Sequence, residues 1–189
     1  MRTMGEALAN TTMASPLGAL TMVSRTGVMI GLYFSNHWYR PDPCSLGAES
    51  AGARASATPR WRCWSAASEV GFDDVRRELG EYFAGQRREF DVALSPGGDE
   101  QQRRVWNLVR QVPYGETSTY GRLAQELGDG TTAQEVGAAV GRNPLCILIP
   151  CHRIVGSTRK LVGYAGGLRR KQLLLDLERD TVERPSRLF

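Results

Sequence analysis

The sequence predicts an α/β chain of the α+β kind, a strand-rich module over residues 1–94 followed by a mainly helical region. Three observations predict it. β-prone runs with alternating polarity lie before residue 95, apolar residues recur at helical spacing after residue 100, and a turn-rich linker, SPGGDE (95–100), separates the two patterns. With 189 residues, 41% of them hydrophobic, the chain carries enough apolar material to bury a core.

Residues 17–34, LGALTMVSRTGVMIGLYF, place two β-prone runs around Ser24, Arg25, Thr26 and Gly27, the pattern of a β-hairpin. Residues 40–68 are rich in Pro, Ser, Ala and Gly and read as a long loop. In DDVRRELGEYFAG (73–85), Val75, Leu79, Tyr82 and Phe83 fall at helical spacing before Gly85, and REFDVAL (88–94) alternates as a strand does. After the linker, Val105, Leu108, Val109 and Val112 stand at i, i+3, i+4 and i+7, and Pro113 ends that helix.

Residues 117–144, TSTYGRLAQELGDGTTAQEVGAAVGRNP, read as two short helices about the turn Gly128, Asp129, Gly130. Ser118 or Thr119 caps the first, and Thr132 with Glu135 three residues on makes a capping box for the second. Small residues on the second helix, Gly137, Ala138 and Ala139, would let it lie close to a nucleic-acid groove as in a helix-turn-helix. A plain helical hairpin has the same spacing. The segment 100–180 forms the second expected domain, and 181–189 a tail.

Charge is unevenly spread. Residues 1–100 hold 10 Lys and Arg against 12 Asp and Glu, whereas residues 101–189 hold 14 against 8, all but Lys160 and Lys171 being arginine. A basic excess confined to one region suits a polyanion-binding face. Four cysteines, Cys44, Cys63, Cys146 and Cys151, lack the spacing of a disulfide scaffold and are expected as reduced thiols. His37, Cys44 and Cys63 do not have zinc-finger spacing, so no metal is expected. No run approaches the roughly 18 to 20 apolar residues of a membrane helix, which predicts a soluble, cytoplasmic chain with no membrane partner.

In CILIPCHRIVG (146–156), Cys146 reads as a buried structural thiol. Cys151 instead ends the apolar run and meets His152 and Arg153, which can favour a thiolate. In an extended strand Cys151 and His152 would point to opposite faces, so a direct contact needs a turn of the chain or a bridging water. A cysteine hydrolase would have to recruit His37, the only other histidine.

PCHRIVG with GRNP upstream, VPYGETSTYG before the two helices and GYAGGLRRKQLLLDLE after them together resemble the O6-alkylguanine-DNA alkyltransferase family over roughly residues 100–180. The resemblance implies a ribonuclease-H-like N-terminal sheet module, a DNA-binding domain with a helix-turn-helix, and a monomer that needs no cofactor. It implies a suicide DNA-repair protein that flips O6-alkylguanine out of double-stranded DNA and takes the alkyl group onto Cys151, once per molecule; O4-alkylthymine is a further substrate the family allows. His152 would be the base through a bridging water, and Glu178 would orient it. Tyr120 would rotate the nucleotide and hydrogen-bond the guanine. Asn143 would be the hinge asparagine, and Ile154 would line the pocket and offer its carbonyl to the guanine amine. Tyr164, Ala165 and Gly166 would wall the pocket, and Gln134, Ala138 and Arg142 would lie on the DNA-facing helix. Where the family places an arginine finger this chain has Gln134, which brings no positive charge to the gap left by a flipped base. A non-catalytic alkylated-DNA recognition protein is the alternative, against which Cys151 argues.

Overall fold

The computed structural model describes residues 8–39, 48–49, 72–158 and 160–183. Its strands and helices follow in the order β1 (Leu8–Met13), β2 (Leu20–Arg25), β3 (Val28–Phe34), β4 (Ala48–Glu49), α1 (Phe72–Phe83), α2 (Glu100–Arg110), β5 (Ser118–Thr119), α3 (Tyr120–Leu127), α4 (Ala133–Gly141), β6 (Ile154–Val155) and α5 (Leu168–Glu183). Both the α/β character and the succession of a strand-rich first part and a mainly helical second part agree with the sequence pattern.

The first sheet has the order β3-β2-β1-β4, with β1, β2 and β3 antiparallel and β4 parallel to β1. The expected hairpin is β2-β3. Arg25 pairs with Val28 across a two-residue loop in which Thr26 and Gly27 both have positive φ, 49° and 83°, the backbone handedness that matches strand twist. The sequence pattern had not marked β1, which forms the inner partner of β2. Of the expected loop at 40–68 only Ala48 and Glu49 are described, and they pair with β1; the rest lies outside the described residues.

The segment 88–94 is not a ladder strand, contrary to its alternation. Phe90, Val92 and Leu94 do turn their side chains toward the core, but the Asp91 amide donates to the Glu78 carboxylate at 2.9 Å and only Leu94 bridges β3, at Met29. A half-buried extended segment shows period two whether or not a neighbouring strand takes its hydrogen bonds.

One hydrophobic core runs through both modules. Leu20, Met22 and Leu32 of the sheet and Leu79 and Tyr82 of α1 pack in the same cluster as Val105, Trp106 and Val109 of α2, Val136 of α4 and Leu174 of α5. β3 also bridges the segment that leads into the cysteine motif: Leu32 N donates to Pro144 O at 2.7 Å, and Cys146 N donates to Leu32 O at 3.1 Å.

α2 begins at a capping box, with the Asp99 side chain on the Gln102 amide and the Gln102 side chain on the Asp99 amide. It carries Trp106, fully buried, whose indole N–H donates to Ala139 O of α4 at 2.9 Å. α3 is capped by Thr119 and closed by Gly128 at φ 69°, and α4 starts at the Thr132–Glu135 capping box, as the sequence predicts. α3 and α4 pack on each other and on α2. Among the described residues no helix is long and apolar enough to cross a membrane.

Candidate active site and nucleic-acid interface

The approach to Cys151 is a compact turn. Asn143, buried, ties it from within: Oδ1 accepts the Leu145 amide at 2.9 Å, and Nδ2 donates to Ile149 O at 2.9 Å. Leu148 N donates to Cys146 O and Ile149 N to Leu145 O, each at 2.8 Å. Ile147 sits between them at φ 72°, a left-handed conformation that costs a β-branched residue about 1–2 kcal/mol and persists because these bonds over-determine it.

Cys151–Arg153 then form a 3-10 turn, so the chain is not extended at the motif. Cys151 is 3% exposed and His152 is fully buried. β6 follows directly and pairs in parallel with β5, Ser118 to Ile154 and Thr119 to Val155. Since Thr119 is the cap of α3, two residue pairs join the helix-turn-helix to the turn that carries the thiol.

The Cys151 thiol is held below its ordinary value: the neighbouring Cys146 thiol, Asn143 and the Lys171 charge favour the thiolate and outweigh burial. The Cys151 amide itself donates to Ile149 O at 2.8 Å. Lys171 is fully buried, and its amine donates to Ile154 O, Val162 O at 3.0 Å and Gly163 O at 3.2 Å. Burial lowers its pKa to about 8 against the pull of Cys151.

Behind the thiol lies a closed polar cluster centred on Glu178, which is fully buried on α5. Its Oε1 accepts from His152 Nε2 at 2.8 Å, Tyr82 Oη at 2.7 Å and Arg153 Nη2 at 3.0 Å; its Oε2 accepts from Arg153 Nε at 2.9 Å and Gly115 N at 3.1 Å. Burial alone would raise the carboxyl, but the bonds and charges of His152 and Arg153 bring it down to about 2. Desolvation, aided by the charges of Arg153 and Lys171, lowers the His152 pKa against the pull of Glu178. The pair is therefore a carboxylate and a neutral imidazole, with Arg153 supplying the buried counter-charge. Because Nε2 faces a carboxylate it carries the proton, which leaves Nδ1, without a hydrogen-bond partner among the described residues, as the basic nitrogen.

Both halves of the chain match models of one family: residues 8–96 the ribonuclease-like domain, and residues 100–180 the DNA binding domain, of 6-O-methylguanine DNA methyltransferase. The methylated-DNA--protein-cysteine methyltransferase of Mycolicibacterium paratuberculosis is 42% identical over 168 residues, 89% of this chain and 90% of that protein. The chain belongs to the 6-O-methylguanine DNA methyltransferase family. Its counterpart in Mycobacterium tuberculosis is 37% identical over 94% of this chain and 96% of its own length. The crystal structure of Mycobacterium tuberculosis OGT in complex with DNA superimposes with a TM-score of 0.77 at 35% identity, covering 92% of this chain and 94% of that one.

For a member of the 6-O-methylguanine DNA methyltransferase family, the remaining residues singled out in the sequence fall into two groups. Around Cys151 lie Tyr120, whose hydroxyl donates to Val162 O at 3.2 Å and whose pKa burial pushes up to about 12, and Tyr164, buried beside Cys146 and Cys151. Ile154, Ala165 and Gly166 are buried there too; a Cβ at Gly166 would meet the Phe34 ring at 2.5 Å, so only glycine fits. The Ile154 carbonyl already accepts from Lys171, which leaves it one lone pair. Gln134, Ala138 and Arg142 form the second group, exposed at i, i+4 and i+8 along α4 and its C-cap. Arg142 also stands over the Tyr39 ring at 5.7 Å, whereas Arg122 is paired with Glu126 at 3.0 Å.

Glu178 stands within α5, which runs on to Glu183, so the helix dipole plays no part in its placement. Cys146 is buried, as the sequence predicts, with His37 Nε2 3.8 Å from its sulfur. His37 thus backs the second cysteine. Cys44 and Cys63 lie outside the described residues, among which no group of three or more metal-ligating side chains gathers.

Sequence reasoning missed Tyr82 and Lys171 as polar members of the site, and placed Arg153 beside the thiol without its partner, Glu178. A signal existed for Lys171: with Leu174 and Glu178 it makes an i, i+3, i+7 stripe, and all three are buried.

Proposed function

We propose that this chain repairs DNA by moving an alkyl group irreversibly from guanine O6 in double-stranded DNA to Cys151, in a single turnover and with no cofactor. The observation that carries the reading is the Cys151 thiol, held toward its ionised form beside a neutral His152 whose proton-bearing nitrogen is pinned to Glu178. The thiolate sulfur bonds to the alkyl carbon as the carbon–O6 bond breaks, and the bonding pair leaves with guanine. The proton given up by Cys151 passes through a bridging water to His152 Nδ1, and guanine regains one proton overall, so atoms and charge balance. Glu178 holds the imidazole and balances Arg153.

Tyr120 turns the nucleotide and hydrogen-bonds the guanine, lowering the cost of its departure. Asn143 couples α4 to the turn, and Tyr164, Ala165, Gly166 and Ile154 form the pocket that takes the flipped base. Gln134, Ala138 and Arg142 face the duplex, with Gln134 filling the gap left in the stack. Extrusion costs about a few kcal/mol, less for a damaged pair. On this reading residues 100–180 carry the chemistry, residues 1–94 buttress them, and the chain acts as a cytoplasmic monomer.

The test is intact-protein mass after mixing with excess O6-methylguanine duplex, with the modified peptide mapped. One methyl per chain on Cys151, absent from Cys151→Ala, is the expected result. An unchanged mass with the duplex still bound would refute transfer and favour a recognition protein.

A further inference from the structure

We propose that Arg170 is a positioning residue for alkyl transfer: its guanidinium ties the wall of the Cys151 pocket to the N-terminal sheet module and holds that wall in place. The inference rests on the proposed alkyl transfer only for its rate readout.

The wall is a short segment with glycine at both ends. Tyr164, Ala165 and Gly166 are buried between Gly163 and Gly167, whose φ values are 46° and 91°. Glycine backbone leaves many conformations open, so the position of the wall has to be set by what its carbonyls meet. Gly163 O accepts from Lys171 at 3.2 Å, Ala165 O from the Trp38 amide at 3.2 Å, and Gly166 O from Arg170 Nη1 at 2.8 Å. Trp38 belongs to the sheet module, and Arg170 reaches across to it. Its Nε donates to Leu17 O at 2.7 Å, in the turn between β1 and β2, and its guanidinium carbon lies 4.8 Å from the centre of the Phe34 ring. That ring in turn packs edge-on to Tyr164, with 6.2 Å between centroids.

A guanidinium suits this place because one planar fork meets two carbonyls while its face covers an aromatic ring; an ammonium has neither the plane nor the spread of donors. The Leu17 carbonyl is a fixed reference point. Its turn is closed by Ser15 N on Gly18 O at 3.2 Å and Gly18 N on Ser15 O at 3.0 Å. Arg170 and Lys171, neighbours on α5, therefore hold the two ends of the wall, one against the sheet and the other against β6 through Ile154 O. An arginine that served stability alone would weaken the whole protein without slowing the chemistry of the folded molecules.

The experiment compares wild type, Arg170→Met and Arg170→Lys in single-turnover transfer from O6-methylguanine duplex over a range of protein concentrations. Hydrogen exchange is followed on the same proteins without DNA at the Gly167 amide, which donates to Tyr164 O at 2.8 Å, and at the Leu32 amide in the sheet. Both variants should lose about tenfold in the saturating rate, because a displaced pocket misaligns sulfur, carbon and leaving oxygen, while the half-saturating concentration stays within about twofold of wild type. Exchange at Gly167 should quicken about tenfold more than at Leu32. Arg170→Lys keeps the charge without the fork, and as the milder change it carries the comparison where Arg170→Met loosens the core. A lysine variant that matches wild type in rate and exchange overturns the proposal. So does exchange that quickens equally at Gly167 and Leu32, or a loss that lies wholly in the half-saturating concentration. Quickened exchange at Gly167 while even wild type transfers nothing supports the tie and refutes the proposed function instead.

Discussion

Glu178→Gln is the most informative single change, because one carboxylate accepts five hydrogen bonds and faces the buried Arg153. The amide keeps the shape and loses the charge. It leaves a guanidinium whose side chain is 8% exposed without its counter-ion, and removing one partner of a buried pair costs about 3–5 kcal/mol. The carboxyl itself gives an independent figure. A pKa lowered from 4.5 to about 2 corresponds to about 3 kcal/mol of stability at neutral pH. The sign follows from the direction: a depressed carboxyl stabilises above its unfolded pKa, and that contribution drains away as pH falls from 4.5 to about 2. Urea unfolding of both proteins should therefore show a gap of about 3 kcal/mol at pH 7 that narrows steadily as the solution is made acid. A gap below about 1 kcal/mol, or one that does not change with pH, would refute the assignment of Glu178 as the charge-bearing centre of the cluster.

Gln134→Arg should tighten duplex binding several-fold and steepen its salt dependence by about one counterion, read by fluorescence anisotropy at several salt concentrations; unchanged affinity would mean that this helix face does not meet the phosphates. Trp106→Phe removes the indole bond to Ala139 O and part of a fully buried ring, so urea unfolding should report a loss of about 1–3 kcal/mol, and a loss under 0.5 kcal/mol would contradict its place between α2 and α4. Thr132→Ala strips the capping box of α4 and should cost about 1 kcal/mol, with Thr132→Ser restoring most of it; equal stability of all three proteins would show that the cap contributes nothing.

The features legible in the sequence are those set by near neighbours. The β2-β3 hairpin, the caps of α3 and α4 and the face of α2 each follow from residues within a few positions of one another. β1 escaped notice because its inward side includes Thr11, fully buried and bonded by Arg76 Nη2 at 2.9 Å, so polar residues stand where a strand pattern needs apolar ones. The thiol and its histidine stand out by their types and adjacency. Their support does not, because Tyr82 and Gly115 lie 96 and 63 residues from Glu178 and meet it only after α1 and α5 have packed. Tyr82 was placed correctly on the buried face of its helix, but spacing cannot tell an apolar ring from one whose hydroxyl has a carboxylate to meet. Arg153 sits beside His152 in the motif, yet only the 3-10 turn aims both at the same carboxylate.

The bridge between β3 and the segment 144–146 has a consequence for how the protein opens. The amides of Leu32 and Cys146 close on each other's strands, and the residues on either side share one core. The nucleophile's turn therefore has no private unfolding route: it opens only when the sheet does. Hydrogen exchange at Leu32 and Cys146 should accordingly follow the same slow, global rate. A sheet that holds none of the proposed reacting groups would then set how long each molecule keeps its single-use thiol poised.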